Sequence, residues 1–382
     1  SMVATTFSAD TPKLVTDIVR TNGVSGNWVW WAFLLTGMLT VFVYAKLWRK
    51  SGVVTDLEFY ELRYSGKGAA FLRGFRALYL GVFFNIMIMA SVCLAAIKIG
   101  SVLLGFTAIE TLVIASTITV LYSSLGGLKG VVITDFFQFI LAMGATFWAT
   151  YYIIDLPQIG TLENLLTHPN VLPKLDFIPD FQQREVFITL FILPIAVQWW
   201  SVWYPGAEPG GGGYIAQRML SAKDEKNAVW ATLLFNFAHY ALRPWPWILI
   251  ALASLIIFPD IQSIQLAFPN IDPSIVKDDL AYPAMMTFLP AGLIGLIVAS
   301  LIAAFMSTIS SHLNWGSSYV VYDFYQRFVK PDASEKELVK IGRLSTVVLM
   351  IASALFALLL SNALEAFQLS LIHISEPTRL GM

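Results

Sequence analysis

Long apolar stretches recur along the chain at lengths that match the thickness of a lipid bilayer. Leu78–Leu104, Val131–Ile154 and Ala291–Val321 are each long enough and apolar enough for a helix to cross the hydrocarbon core. Only 13% of the 382 residues are charged and 57% are hydrophobic, whereas soluble domains carry about 25% charged residues. One water-soluble core could not bury so much apolar surface. The sequence therefore predicts an all-α polytopic membrane protein.

We predict about nine membrane segments, the first of which, Ser1–Val19, is interpreted as half of a broken helix. The others are Trp28–Trp48, Leu78–Leu104, Thr107–Ser124, Val131–Ile154, Glu185–Tyr204, Ala228–Phe258, Ala291–Val321 and Leu344–Ser361. Basic residues concentrate after the second, sixth and eighth segments, and the positive-inside rule places these connections in the cytoplasm. The acidic connections after the fifth and seventh segments then lie outside. This alternation predicts a multi-pass protein of the cell inner (plasma) membrane.

The eighth segment contains a run of hydroxyl side chains, which are Ser307, Thr308, Ser310 and Ser311. On a helix, Ala304, Ser307 and Ser311 share one face. Hydroxyl oxygens and freed backbone carbonyls are hard ligands that an alkali cation accepts in place of water. A single Ser or Thr in a membrane helix more often packs closely and hydrogen-bonds the preceding turn. The density of hydroxyls in this run favours a cation site.

Among the ionisable side chains of the predicted membrane segments, three stand out: Asp135, His239 and Arg243. Charged groups there are costly, so each is a functional candidate. Asp135 follows a Gly-Gly turn, where a carboxylate can also simply stabilise the helix dipole. His239 and Arg243 lie one helical turn apart in the seventh segment. They can snorkel or bond to carbonyls freed by nearby prolines, or they can bind the carboxylate or hydroxyls of a solute.

An aromatic cluster, Gln198–Tyr204, lies just before the Pro- and Gly-rich stretch Pro205–Gly213. Such residues form interfacial belts in many membrane proteins. Beside an unwound helix they can equally stack on a solute. The first and sixth segments are both broken and are five segments apart, which indicates an inverted repeat with a site at the membrane midplane.

Four stretches resemble motifs of the sodium:solute symporter family, whose members carry sugars, proline, sialic acid and vitamins. Gly126–Asp135 resembles the GGLxAVxWTD turn, and Gln217–Lys223 resembles QRxLAAK. Ala303–Asn314 with Tyr322–Tyr325 resembles AAxMSSxxSxLN…DxY, and Ala4–Ala9 resembles the end of the unwound first core helix. The resemblance implies a LeuT-like fold, a 5+5 inverted-repeat helix bundle in which the first helix of each half is broken.

The resemblance also implies sodium sites, so Na⁺ is the expected coupling ion, with one or two ions per cycle. The main sodium site of the family falls on Ala4, Phe7, Ala304, Ser307 and Thr308. A second site, present in some relatives, falls on Ser307, Ser310, Ser311 and Asp135, all of which carry oxygen ligands.

The expected solute site comprises Thr11, Gln198, Trp199, Trp200, His239 and Arg243. His239 falls where sugar-carrying relatives have a lysine, and Thr11 falls where they have a glutamine. Those relatives also have a glutamate near the position of Leu34, but the stretch Trp28–Val43 contains no carboxylate. This difference argues against a galactose-type solute.

The two ends of the chain look incomplete for this family. We expect residues 1–368 to form the transporter core, with the first core helix cut short. Residues 369–382 are interpreted as a spurious tail, because Ser370–Arg379 resembles a translated sequencing adapter. The tenth core helix would then be absent.

The expected function is sodium-coupled secondary active transport, or symport, of a small organic solute by alternating access. The partners are that solute, Na⁺ and the lipid bilayer. The net charge of −1 gives no reason to expect nucleic acid. The alternative is a cation channel or an ion-sensing membrane protein without solute transport. An enzyme is not expected, because the ionisable residues and Cys93 show no recognised catalytic spacing.

Overall fold

The computed structural model describes residues 1–7, 11–197, 199, 213–269 and 276–359, and in these ranges every regular element is a helix. The predicted all-α class is therefore confirmed. Gln198, Trp200 and the predicted tail 369–382 lie outside the described residues.

The α-helices, numbered in chain order, are α1 (Met2–Thr5), α2 (Thr11–Asn22), α3 (Trp28–Trp31), α4 (Leu34–Leu39), α5 (Ala45–Ser51), α6 (Glu58–Arg63), α7 (Gly66–Leu78), α8 (Asn85–Leu104), α9 (Ala108–Ile154), α10 (Leu162–Thr167), α11 (Arg184–Phe187), α12 (Leu193–Ala196), α13 (Gly213–Leu220), α14 (Glu225–Asn236), α15 (Pro244–Ile257), α16 (Ile261–Ala267), α17 (Ala281–Met286), α18 (Ala291–Ser318) and α19 (Glu335–Ala357). Short 3₁₀ helices span Val24–Asn27, Leu172–Lys174 and Asp278–Leu280. Wider π-helical turns span Thr40–Tyr44, Tyr79–Phe84, Ile188–Ile192, Phe237–Leu242 and Tyr319–Val329.

Within the described residues, five continuous helical stretches are long and apolar enough to cross a membrane, or six if one bent pair counts as a single span. They are Gly66–Ile97, Ala108–Ile154, Glu225–Ile257, Ala291–Val329 and Glu335–Ala357, and the bent pair is Val24–Trp31 with Leu34–Ser51. One of them, α9, contains both the fourth and the fifth predicted segments. The total of about nine segments stays a prediction.

The chain reverses direction inside α9, at the Gly-Gly turn that the sequence indicates. Gly127 has φ 54° and ψ −167°, a backbone conformation that favours glycine. The Tyr122 hydroxyl contacts the Thr134 hydroxyl, although twelve residues of straight helix would separate them by about 18 Å. The predicted turn therefore lies at this break, and it brings Asp135 back beside the preceding segment.

The first segment is broken as predicted. Helix α1 ends at Thr5 and α2 begins at Thr11. Between them, Phe7 is buried and its ring meets the edge of Trp247, with centroids 5.0 Å apart. The break therefore packs against α15, deep in the bundle.

The seventh segment changes its helical geometry at its Arg-Pro-Trp-Pro sequence, because the π-helical turn ends at Leu242, Arg243 forms a bend and α15 begins at Pro244. Glu225–Ile257 runs as one span, with a π-helical turn at Phe237–Leu242. Pro244 and Pro246 lie in the first turn of α15, where a backbone N–H needs no partner within the helix. The Arg243 N–H donates to the Ala238 carbonyl at 3.1 Å, which closes the wider turn.

Helix α18 lies at the centre of the bundle and contacts α1, α8, α9, α13 and α19. Its buried face includes all four predicted hydroxyls. The central helix therefore carries the candidate ligands to the place where the broken first segment meets the fifth.

Candidate functional site

Asp135 is fully buried and lies at the centre of a hydroxyl cluster. The Ser307 hydroxyl donates to its Oδ1 at 2.6 Å, and the Ser1 hydroxyl donates to its Oδ2 at 2.5 Å. Ser310 lies one turn along α18, and its hydroxyl donates to the Ser307 carbonyl at 3.1 Å. Ser307 and Asp135 of the predicted second sodium site are thus in direct contact.

Arg218 joins this cluster from α13, although its residue type and position predicted no role for it. Its Nη2 donates to the Ser311 hydroxyl at 2.6 Å, and its Nε donates to the Ser1 hydroxyl at 3.1 Å. Only 6% of the residue is exposed. The available signal was its position in the QRxLAAK-like stretch. Its partners lie 93 and 217 positions away, so spacing along the chain could not reveal them.

A second group of oxygens lies where α1 meets α18. The Thr308 hydroxyl donates to the Thr5 carbonyl at 2.9 Å and to the Ala304 carbonyl at 3.0 Å. Ala4 and Phe7, the two backbone ligands predicted in the first segment, are both buried. This set is made of hydroxyl and carbonyl oxygens, which suits a hard alkali cation. The Thr5 carbonyl is an additional oxygen that the motif did not indicate.

Ser307 belongs to both predicted sodium sites, but its hydroxyl bonds to Asp135 in the structure. Thr5 bridges the two groups, because its hydroxyl contacts the Ser311 hydroxyl at 2.7 Å and its carbonyl accepts from Thr308. The two predicted ion sites are therefore neighbours along one face of α18.

Thr6 organises the predicted solute residues around the break after α1. Its hydroxyl lies 3.1 Å from His239 Nδ1 and accepts from Arg243 Nη1 at 2.9 Å. The Thr11 hydroxyl donates to the Thr6 carbonyl at 3.4 Å. The structure thus brings Thr11, His239 and Arg243 together, and Thr6 itself was missed. Its hydroxyl beside the predicted break was the one sequence signal.

Aromatic rings enclose the histidine of this group. The rings of Trp30 and Tyr240 lie 5.9 Å and 4.4 Å from His239, and Trp30 stacks on Tyr240. The Arg243 guanidinium lies 5.3 Å from the Trp247 ring centre. Trp30 lies near the start of the second predicted segment, and its contact with His239 places it at the candidate solute site. The Thr36 hydroxyl contacts the backbone carbonyl of Trp199, which belongs to the aromatic cluster.

The model of the sodium:solute symporter family matches residues 4–375 of the chain. The sodium/glucose cotransporter of Vibrio parahaemolyticus is 27% identical over 350 residues, which is 88% of this chain and 62% of that protein. The human sodium/myo-inositol cotransporter is 28% identical over 365 residues, which is 86% of this chain and 48% of that protein. The chain thus spans about half to three-fifths of the length of these relatives.

A solved structure of a Na⁺-coupled sialic acid symporter, in a substrate-bound outward-open state with a novel Na⁺ site, has the same fold. The TM-score is 0.75 at 23% identity, and the match covers 98% of this chain and 74% of that one. The likeness confirms the LeuT-like fold. Together with its apolar helices, the family match shows a multi-pass membrane protein. The chain belongs to the sodium:solute symporter family.

Proposed function

We propose that the protein is a sodium-coupled symporter that moves a small organic solute by alternating access across the cell inner membrane. One observation carries this proposal: two successive residues at the end of α1 connect two different clusters. Thr5 contacts Thr308 and Ser311 on the face of α18 that carries the hydroxyl side chains, which we call the oxygen-rich face. Thr6 contacts His239 and Arg243. A cation bound to the first cluster and a solute bound to the second would both affect the conformation of the backbone at the end of α1.

Symport requires this kind of linkage. A ligand shifts a conformational equilibrium only if it binds one state better than the other. Sodium held between the α1 carbonyls and Thr308 would fix the end of α1 against α18, and with it the position of Thr6. The solute would then meet a preformed group of donors, so that ion and solute favour the same conformation.

We propose that the oxygen-rich face binds two sodium ions, which are transported with the solute. Ala4, Phe7, Ala304, Ser307 and Thr308 would hold the first. Ser307, Ser310, Ser311 and Asp135 would hold the second, where the carboxylate supplies the negative charge. A cation channel or an ion sensor would use the same face, but it would have no need of the Thr6, His239 and Arg243 cluster beside it. Membership of a transporter family also argues against an enzyme.

We expect a solute with a carboxylate or several hydroxyl groups. A guanidinium binds carboxylates with two parallel hydrogen bonds and also donates to hydroxyl oxygens. Trp30 and Tyr240 offer apolar ring faces on which a sugar-like or planar solute can pack. Gln198 and Trp200 are further candidates from the sequence, together with Trp199 and Thr11.

Replacing Thr308 with alanine is expected to weaken sodium binding by about tenfold or more, because a buried hydroxyl ligand contributes roughly 1–3 kcal/mol. Binding of ²²Na⁺ to purified protein measures this without knowledge of the solute. The matched control is Ser300→Ala on the same helix. Ser300 is equally buried, and its hydroxyl donates to the Ile297 carbonyl of its own helix. Equal loss in both variants, or none in Thr308→Ala, would contradict the proposed main site.

Replacing Arg243 with glutamine is expected to lower sodium-driven uptake of carboxylate or polyhydroxyl solutes by about tenfold or more, because a charged hydrogen bond contributes about 1.5–3 kcal/mol. Uptake into proteoliposomes, measured over a panel of solutes with and without an inward sodium gradient, tests this. Binding of ²²Na⁺ should change little. Arg243→Lys is the matched variant, because it keeps the charge and removes the planar fork. Unchanged uptake in Arg243→Gln would remove this residue from the solute site.

A further inference from the structure

Arg218 brings a second positive charge to the place proposed for a sodium ion. Its guanidinium donates to Ser311, a predicted sodium ligand, and to Ser1, whose hydroxyl in turn donates to Asp135. The charges of Arg218 and of the Ser1 amino group both lie close enough to Asp135 to attract it electrostatically. The ligands of the second ion site are therefore already in contact with a cation that belongs to the protein.

Asp135 needs such a partner whenever sodium is absent. A carboxylate buried inside a membrane protein is costly unless a positive charge or several donors accompany it. Two full positive charges around one carboxylate repel each other, because the surroundings screen them weakly. A sodium ion that enters the site must then either displace the guanidinium or bind against its repulsion.

We propose that Arg218 is the resident counter-ion of Asp135 and competes with Na⁺ for the Ser311 and Asp135 oxygens. This inference rests on the proposed second sodium site. It makes Arg218 a positioning residue that lowers sodium affinity there while keeping the sodium-free protein intact. A solute and two sodium ions could then be released on the low-sodium side without leaving Asp135 unpaired.

The exchange would also alter how two helices are joined. Arg218 links α13 to α18 through Ser311, and Gln217 Nε2 provides a parallel link to Asn314 Oδ1 at 3.0 Å. Sodium that displaces the arginine removes the first link and leaves the second. Occupation of the ion site is in this way translated into a looser contact between α13 and α18.

The test measures ²²Na⁺ binding to the purified full chain as wild type, Arg218→Gln, Arg218→Lys and Asp135→Asn. We expect Arg218→Gln to bind the second ion at least about fivefold more tightly, a factor at the lower end of typical coupling between sites. Arg218→Lys should lie between Arg218→Gln and the wild type. Asn314→Ala is the control, because it cuts the neighbouring link between α13 and α18 without changing charge, and its sodium affinity should equal that of the wild type.

A second readout separates competition from a purely structural role. Methylguanidinium added at low concentration should compete with ²²Na⁺ in Arg218→Gln, where it can occupy the vacated position, and should have no such effect in the wild type. If Asp135→Asn loses one ion but Arg218→Gln binds sodium no more tightly than the wild type, the proposed role of Arg218 is wrong and the second sodium site still stands. If Asp135→Asn binds sodium as the wild type does, the second sodium site fails and the competition proposal falls with it.

Discussion

Replacing Arg73 with leucine is expected to destabilise the protein by about 3–5 kcal/mol, because it leaves a buried carboxylate without its charge partner. Arg73 Nε donates to Asp323 Oδ1 at 2.7 Å, and Asp323 is fully buried. The same oxygen accepts from the Thr55 hydroxyl at 2.8 Å. Asp323 Oδ2 is buried without a hydrogen-bond partner in the described part of the chain. The carboxylate therefore depends on Arg73 for compensation.

The thermal midpoint of unfolding in detergent, read by loss of the monodisperse peak, checks this expectation. A double variant distinguishes the cost of an unpaired buried charge from the cost of lost packing. Arg73→Leu with Asp323→Asn should recover most of the stability, because the neutral amide can still accept from Thr55 and no charge is left buried. The control is Arg63→Leu, an exposed arginine on α6, which should cost no more than about 0.5 kcal/mol. A midpoint equal to that of the wild type would contradict the expectation.

The ion pairs around Arg73 also join α6, which lies between α5 and α7, to the end of the eighth segment. Glu61 accepts hydrogen bonds from Arg73 at 2.8 Å and from Arg327 Nη2 at 2.8 Å. The hydrogen bond from Arg327, and to a smaller extent the one from Arg73, holds the pKa of Glu61 below its usual value. Nearby, Asp56 accepts from the Tyr319 hydroxyl at 2.6 Å, and burial raises the pKa of Asp56. The positive-inside rule predicts this end to be cytoplasmic.

The central part of the site could be predicted from the sequence because it follows local rules. Helical spacing alone places Ser307 and Ser311 on one face, and in the structure both belong to the cluster around Asp135. The Gly-Gly sequence indicates a turn, and Gly127 adopts the conformation that glycine favours. These features need no knowledge of what lies across the bundle.

Other features depend on contacts between distant parts of the chain. Arg243 meets Thr6 across 237 positions, and His239 meets it across 233. Nothing local distinguishes Thr6 from its neighbour Thr5, although the two contact different clusters. Trp30 likewise resembles any interfacial tryptophan until the fold places it against His239. The family resemblance assigned His239 to a solute site but gave Thr6 and Trp30 no role there.

The irregularity of the seventh segment at its two prolines has a local cause. Two prolines usually indicate a broken helix. Here a π-helical turn ends just before Pro244, so the prolines occupy the first turn of α15, and the span continues. The wider turn also places His239 and Arg243 on the side that faces Thr6, which connects the backbone irregularity with the solute cluster.

Replacing Gly316 with alanine is expected to destabilise the protein by about 3 kcal/mol, the upper end of the usual cost of overpacking. Gly316 lies on α18 where that helix approaches the π-helical turn before α8. An added Cβ would overlap Asn85 Nδ2 and would lie 2.5 Å from the Gly81 carbonyl oxygen. A backbone carbonyl cannot rotate away as a flexible side chain can, so the two helices would have to separate.

The displaced amide would add to this cost. Asn85 Nδ2 donates to the His312 carbonyl at 2.8 Å, and Asn85 Oδ1 lies 2.8 Å from His312 Nδ1. Both contacts are buried, and a buried polar group left without its partner costs about 1–3 kcal/mol. Because His312 directly follows Ser311, a shift of Asn85 would also disturb the helix turn that carries the ion ligands. Gly316→Ala should therefore weaken ²²Na⁺ binding as well as stability.

Gly295→Ala provides the matched control on the same helix. A Cβ at Gly295 would meet no atom within 4 Å, and alanine favours a helix over glycine by up to about 1 kcal/mol. The thermal midpoint should fall in Gly316→Ala and stay level or rise in Gly295→Ala. If both variants melt as the wild type does, the close approach of Gly316 to Gly81 does not limit the packing of α18 against α8.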